Sequence, residues 1–514
     1  MTGMLPKHKK YVIIGAGIHG LSTAWHLAKE LKARGRGSGE DIIVLDKEGP
    51  GSGASGIACG VVRNFYFQPA MGEVMRVSVE VWEEQAEILH YHGVGYLAVT
   101  GEIQRPDLEA IYERQKKSGY RSDLILGEEK VYSYMREIFP DWKARGLNAC
   151  LHEKQGGFAF NTPSVMGLVS LCEREGVTLL SSTQVTGFRF SGESVRAVQT
   201  NRGEIECETL IVAVGPWIKQ IWAMLDLPEK INIHTPDGDI VPDRPMWTFW
   251  LLQEGEIHID PQEFVTADGK YPPVIHIDSS EPLISDKTGK LIKEDLWGVY
   301  FKRDKRGVQG GSVPEQIGPE AQVDPYGVSS SKYLVGKEFV EYWTSGLAHC
   351  MERFEGCHTD YHWAPSGGLG AFSADNFPVF DFMRPNTYVI ADSNHGYKMI
   401  GVGKEVAREL MGEHSSILYP FRFERFANGD LHPVSNSPFP WSCYAKQPSQ
   451  IFRMALPTAP ALRGSDRAGR LDCQQAVAPV QPGQPIHPEW LHSGRHPGRR
   501  SHPPTGRSGF TPGI

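Results

Sequence analysis

The sequence predicts an α/β protein. A Rossmann-like dinucleotide domain is assembled from separated segments, and an antiparallel-sheet (α+β) substrate domain is inserted between them. Three observations carry the prediction. KYVIIGAGIHGLSTAWHLAKEL, from Lys10, reads as strand, glycine turn and helix. ADSNHGYKMIGVGKEVAREL, residues 391–410, repeats that order far down the chain. Between Pro245 and Gly311, MWTFWLL, VIHIDSS and LWGVYFKRD alternate apolar and polar residues as half-buried strands do. At 514 residues the chain exceeds one ordinary core and suits two domains, or one domain elaborated by insertion.

The opening unit is followed by DIIVLDKE, which completes a strand–helix–strand. MRVSVEVWEEQAEILHYHG next predicts a helix with Val77, Val81 and Ile88 on its apolar side. From Thr162 to Trp217 a helix precedes a strand, a hairpin-like pair follows, and the apolar run LIVAV ends at Gly215. The alternating insert comes next, and the strand TYVIADS leads into the closing turn and helix. This assigns 8–80, 150–235 and 350–415 to the dinucleotide domain, 81–149 and 236–349 to the substrate domain, and 416–442 to a C-terminal extension of the fold. There is no internal repeat. Residues 443–514 are rich in Pro, Gly, Arg and His and lack an apolar period. They read as a disordered tail, an out-of-frame C-terminus or a basic interaction segment, because such a composition buries too little surface to offset its ordering entropy.

The net charge of −8 gives no electrostatic reason to expect nucleic acid or an anionic membrane as partner. No apolar run approaches the roughly 20 residues that span a bilayer, and the first strand, beginning at Tyr11, leaves no room for a signal peptide ahead of it. The eight cysteines show neither CxxC pairs nor regular spacing, which fits a reducing compartment better than a disulfide framework. The expectation is a cytoplasmic globular enzyme or binding protein with no metal site.

Gly15, Gly17 and Gly20 form GxGxxG between strand and helix. The first glycine allows the tight turn, the second lets backbone approach a pyrophosphate, and the third lets helix and strand pack closely. The helix N-terminus offers oriented N–H groups to the phosphates. Asp46, ending the second strand, is placed to accept from a ribose hydroxyl. A nicotinamide enzyme needs only this half of the site. A flavin enzyme must also hold the isoalloxazine ring with backbone from elsewhere in the sheet. LIVAVGPW, with Gly215 under the cofactor, and the closing ADSNHGYKMIGVG supply such backbone. A helix N-terminus there would stabilise negative charge on a reduced flavin, so FAD is favoured over NAD.

GAGIHGLSTAWHL, LDKEGPGSGASGIACGVVRNFY, GGFAFNTPSVM, LIVAVGPW, RFEGCHTDYHW, DNFPVFD and SNHGYKMIGVGKEVA occur in an order that resembles the D-amino-acid-oxidase-like FAD enzymes. The branch it resembles contains sarcosine oxidase, dimethylglycine dehydrogenase and glycine oxidase. The resemblance runs from about Lys10 to about Gly412. It implies cofactor contacts at Lys47, Ser55, Cys59, His395, Gly396 and Tyr397 besides those above. It implies that Lys398 meets the substrate carboxylate and that Arg63 lies beside the flavin, suited to a carboxylate or to polarising the ring. An exposed lysine and a structural ion pair are the plainer alternatives. Cys357 falls where monomeric sarcosine oxidases attach FAD through a thioether. Cys59 is a second candidate for that bond, and an ordinary buried cysteine is the commoner case.

Two departures from the family pattern bear on chemistry. The oxygen-activating lysine is replaced by Gln309, which favours a dehydrogenase passing electrons to another acceptor over an oxidase. A second carboxylate-gripping arginine is replaced by Tyr66. Trp247, Trp250, Trp297 and Tyr300 suit either sheet core or a cation–π cage for a methylated ammonium. The chemistry implied is hydride transfer from the carbon next to nitrogen, in an amino-acid-like or N-methylated amine, to flavin N5. Hydrolysis of the imine follows, with oxygen or an electron-transfer partner as final acceptor. A non-catalytic flavin-binding assembly or scaffold protein is the alternative; an oxidase of modified tRNA is disfavoured by the acidic net charge.

Overall fold

Why the chain builds the same strand–turn–helix twice becomes plain when the two copies are placed side by side. The computed structural model describes residues 5–330, 333–362, 368–392 and 395–439, so the tail expected over 443–514 lies outside the described residues. His8–Ile14 runs through the middle of an eight-stranded sheet, parallel to Ile42–Leu45 on one side and to Gly203–Val212 on the other. Thr178–Leu180 and Thr387–Ala391 add parallel strands beyond these two. The residues Tyr11 to Ile14 are all buried, because a parallel sheet is covered on both faces and reads as a continuous apolar run. Helices Ile18–Ala33, Asn161–Arg174 and Gly401–Leu410 cover one face, joined by Pro69–Glu84. The first and closing helices meet so closely that a Cβ on Gly403 would lie 2.5 Å from Thr23 N. The two glycine turns therefore belong to neighbouring helices on one sheet.

The second sheet has seven strands, in the order Glu254–His258, Gly307–Ser312, Trp297–Asp304, Val274–Ser279, Tyr96–Thr100, Ala149–Glu153 and Ser122–Leu126. Its pairs are antiparallel except where Tyr96–Thr100 lies parallel to Val274–Ser279 and joins the two contributing arms. One face packs on helix Lys337–Cys350 through Trp297, Val299, Phe301, Trp343 and Leu347. The opposite face looks onto the cavity. The sheet draws on residues up to Glu153, past the limit at 149 that composition suggested.

Two expectations are refined. MWTFWLL does form a strand, Thr248–Leu252, but it pairs with Glu315–Gly318 and Gly368–Phe372 in a separate three-stranded sheet. The helix through Val77 and Val81 ends at Glu84, so Ile88 packs from the following turns. The end of the described chain is pinned by charge. Arg425 donates to both carboxylate oxygens of Asp375 at 2.8 and 2.7 Å, with both side chains buried. From there the chain crosses to the second sheet, where Asn436 bonds Asp107 and Ser437 Oγ donates to Asp278 at 3.1 Å.

Candidate active site

A cavity of about 1880 Å³, counting its open mouth, is lined by loops of the first sheet and by one face of the second. Its lining runs from the glycine turn of the first sheet to side chains of the second. Its first wall is the glycine turn. Gly15 has φ +102°, and a Cβ there would lie 2.3 Å from Ala213 O, so the turn requires glycine. A Cβ on Gly20 would lie 1.9 Å from Gly15 O; Gly20 sits behind the cavity wall and lets the helix seat against the turn. Gly17 is the N-cap of the first helix and brings no side-chain cap, and Ser55 Oγ accepts from Ile18 N at 3.2 Å.

Asp46 accepts from the N–H groups of Ala16 and Glu48, both at 2.9 Å, and still borders the cavity. Lys47 pairs with Asp324 and lies 4.0 Å from the centre of the Trp217 ring, whose Nε1 donates to the same Asp324 oxygen at 2.9 Å. Gly215 completes this end.

The closing turn forms the opposite wall with Gly396, Tyr397 and Lys398. Asp392 fixes it: one oxygen accepts from His395 N at 3.1 Å, and the other from His19 Nε2 at 3.2 Å. Burial disfavours the Asp392 charge, but the two histidines outweigh it and hold the carboxyl below its usual range. His395 lies behind the wall as a buried support, its own protonation disfavoured by burial. Trp82 Nε1 donates to Lys398 O at 3.1 Å, and Tyr397 Oη meets Ser164 Oγ. Uncapped helix N–H groups, a turn that tolerates only glycine and carboxylate-held loops at one end fit the phosphates and ribose of a dinucleotide.

The second sheet and the segment after the short strand Val61–Val62 supply the remaining wall. Arg63 is buried, donates from Nη1 to Tyr96 Oη and stands 5.1–5.7 Å from the rings of Tyr66, Tyr96 and Phe65. The segment that carries it, just past strand Val61–Val62, is held by Glu153, which accepts from Asn64 N and Gln115 Nε2. Beside Arg63 lie His276, Tyr300, Glu254 and Phe439, none of which carries a sequence motif. Tyr300 Oη donates to Glu254 Oε1 at 2.9 Å. Burial raises the Glu254 carboxyl to about 7, against the pull of the Tyr300 hydroxyl, Lys398, Lys302 and the Cys59 N–H. Period-two alternation marked Tyr300 as facing one side of a strand, but nothing in the sequence told which side meets the cavity.

Two of the expected site residues lie elsewhere. Cys357 sits in the core beneath the second sheet, its Sγ directed at Thr344 O, and burial pushes its thiol up to about 12. It is not among the residues lining the cavity. Cys59 does line the cavity, but burial keeps its thiol well above the ordinary value. Gln309 also lies off the lining, paired across the strands with Lys302. Lys302 is itself buried, with its Nζ 2.6 Å from Asp304, and it does not line the cavity. Trp247 and Trp297 belong to sheet cores, and Trp250 lies on the small sheet against Phe372; none of the three lines the cavity. The described cysteines are free thiols, and among the described residues no helix is long and apolar enough to cross a membrane.

Comparison with known proteins bears on the family and the fold. Sarcosine oxidase subunit beta of Rhizobium meliloti (strain 1021) is 24% identical over 231 residues, 44% of this chain and 54% of that protein. Mitochondrial dimethylglycine dehydrogenase of Rattus norvegicus is 24% identical over 227 residues, 43% of this chain and 25% of its own length. The chain thus spans about half, or less, of these curated relatives. The crystal structure of L-proline dehydrogenase from P. horikoshii superposes with a TM-score of 0.63 at 22% identity, covering 83% of this chain and 100% of that one, and shares the fold. The DAO model, described as FAD dependent oxidoreductase, matches residues 10–409, and the chain belongs to that family.

Proposed function

We propose that the chain oxidises the C–N bond of an amino-acid-like or N-methylated amine. The observation that carries this reading is the placing of Arg63 and Lys398 on the cavity that also holds the glycine turn, facing the aromatic side of the second sheet. FAD, when bound, supplies the hydride acceptor. The two cations hold the acid group of the substrate and so fix which carbon is presented. Tyr96, Tyr300, His276 and Phe439 surround the remainder and exclude water. The carbon next to nitrogen gives up hydride, and water then cleaves the imine to an amine and an aldehyde or oxo acid. The names of the relatives, which include sarcosine and dimethylglycine, support amines of this size and charge.

The test is anaerobic addition of N-methylated amino acids, simple amino acids and methylated amines, one at a time, to the purified flavoprotein. Bleaching by one of them, with the matching aldehyde or oxo acid as product, is the expected result. Readmitted air then separates an oxidase, which recolours at once, from a dehydrogenase, which does not. Bound flavin that no amine bleaches would contradict the reading and leave a flavin-binding scaffold as the function.

A further inference from the structure

The face of the second sheet that meets the cavity carries a group with no place in the steps above. Paired residues on neighbouring strands point to the same face of a sheet. His276 pairs with Tyr300, Tyr300 with Gly311, and Gly311 with Glu254, so these four form one row across the sheet. Gly311 is the gap in that row. A Cβ there would lie 2.6 Å from Tyr300 Oη and 2.5 Å from Gln253 O. Its absence lets the Tyr300 hydroxyl pass over and donate to Glu254 Oε1. The second carboxylate oxygen, Oε2, is then left buried, in a residue that lines the cavity, and makes no hydrogen bond of good geometry, although the Cys59 N–H acts on the carboxylate from nearby. A buried acceptor left unmatched costs about 1–3 kcal/mol, more when charged, which a donor on a ligand would offset.

From this row we infer that Glu254 takes the proton from the substrate's ammonium group and delivers the amine neutral for oxidation, which restricts the substrate to amines that carry a removable N–H. The inference rests on the reading of the site as an amine oxidoreductase. The step balances simply. One N–H bond of the ammonium breaks, its electron pair stays on nitrogen, and an O–H bond forms at Glu254 Oε2. An ammonium and a carboxylate become an amine and a carboxylic acid. The freed lone pair is what the adjacent carbon needs in order to give up hydride.

Burial raises the proton affinity of Glu254, and four neighbouring groups pull it back. Lys398 and Lys302 act on Glu254 from the closing turn and the neighbouring strand, as do the Cys59 N–H from the first-sheet loop and Tyr300 from the row itself. Tyr326 lies within its electrostatic reach. Nearby cations and burial lower the pKa of a bound ammonium, while burial raises that of Glu254, so the two approach each other. Tyr300 keeps its proton, because burial pushes its hydroxyl well above the ordinary range, and it donates throughout. His276 is the competing acceptor. Its Nε2 donates to Asp278 at 2.9 Å and its buried Nδ1 has no hydrogen-bond partner, so the two must be separated by experiment.

The experiment is the anaerobic rate of flavin reduction by the most active amine, at saturation, between about pH 5.5 and pH 9. For the wild type the rate should rise through a limb near the titration of Glu254. Glu254→Gln should be slower by roughly 100-fold at neutral pH, and its rate should climb about tenfold per pH unit, because solvent must now remove the proton. Tyr300→Phe, which takes away a hydrogen bond that lowers the Glu254 pKa, should move the wild-type limb to higher pH. A ligand-free readout accompanies these: the carboxylic-acid band in the infrared difference between acid and alkaline protein should lose a component in Glu254→Gln. The inference is overturned if Glu254→Gln keeps the wild-type limb, if it slows equally at every pH, or if the limb vanishes in His276→Asn instead. A wild type that no amine reduces would sink the proposed function, a different outcome from any of these.

Discussion

Lys398 and Glu254 are single residues whose removal should have opposite consequences. Lys398→Met takes a cation from the carboxylate end of the cavity. A charge-assisted hydrogen bond lost there costs about 2 kcal/mol, so the Kd of a carboxylate-bearing ligand, read from the flavin spectrum, should rise roughly 30-fold while the melting temperature stays near the wild-type value. Glu254→Gln should instead stabilise the ligand-free protein. The carboxyl is held at about 7 in the folded chain, against 4.5 as its ordinary value. Between those limits the folded state binds the proton and the unfolded state has lost it. Stability from this group is therefore lost as pH rises from 4.5 to 7, by about 3 kcal/mol in full. The gain in melting temperature on Glu254→Gln should accordingly be larger at pH 8 than at pH 5, and equal gains would contradict the assignment.

The elements that hold the cofactor site are joined by close backbone approaches, and these set the next two expectations. Gly15→Ala forces a left-handed φ on alanine and drives its Cβ into Ala213 O. It should purify with little flavin, as absorbance per chain would report. Gly403→Ala acts at a distance from the cavity, by wedging the closing helix off the first helix at Thr23; it should lower both stability and flavin content. A buried ion pair ties the end of the described chain to the fold. Arg425→Met would leave Asp375 buried and unpaired, at about 3–5 kcal/mol, seen as an earlier urea midpoint with an unchanged slope.

These elements also mark how far the sequence could be read. GxGxxG, Asp46 and the closing HGYK turn are local patterns that mark turns at strand ends, and they bring Gly15, Gly17, Asp46, Gly396, Tyr397 and Lys398 to the cavity, with Gly20 and His395 supporting from behind. The second-sheet wall was not legible in the same way. Glu254, His276 and Tyr300 come together only through register between strands distant in sequence, and Gly311 has meaning only beside Tyr300. Cys357 and Gln309 were placed by resemblance alone, with no local pattern to fix them, and both fall off the cavity.

At the scale of the whole molecule, two sheets divide the labour. The first sheet, parallel at its centre, brings backbone turns to the cavity, and the second brings side chains. The C-terminal arm ties them together, since Arg422 donates to Phe380 O on a strand of the first sheet and Phe439 lies against His276 and Tyr300 at the second. Everything proposed for the substrate depends on the cofactor filling the space between. The most direct test is the visible absorption spectrum of the purified protein, with flavin counted per chain and the supernatant examined after acid precipitation. The account predicts oxidised-flavin bands at about one FAD per chain, released into the supernatant because Cys357 does not line the cavity. A chain that stays colourless after incubation with FAD would contradict it.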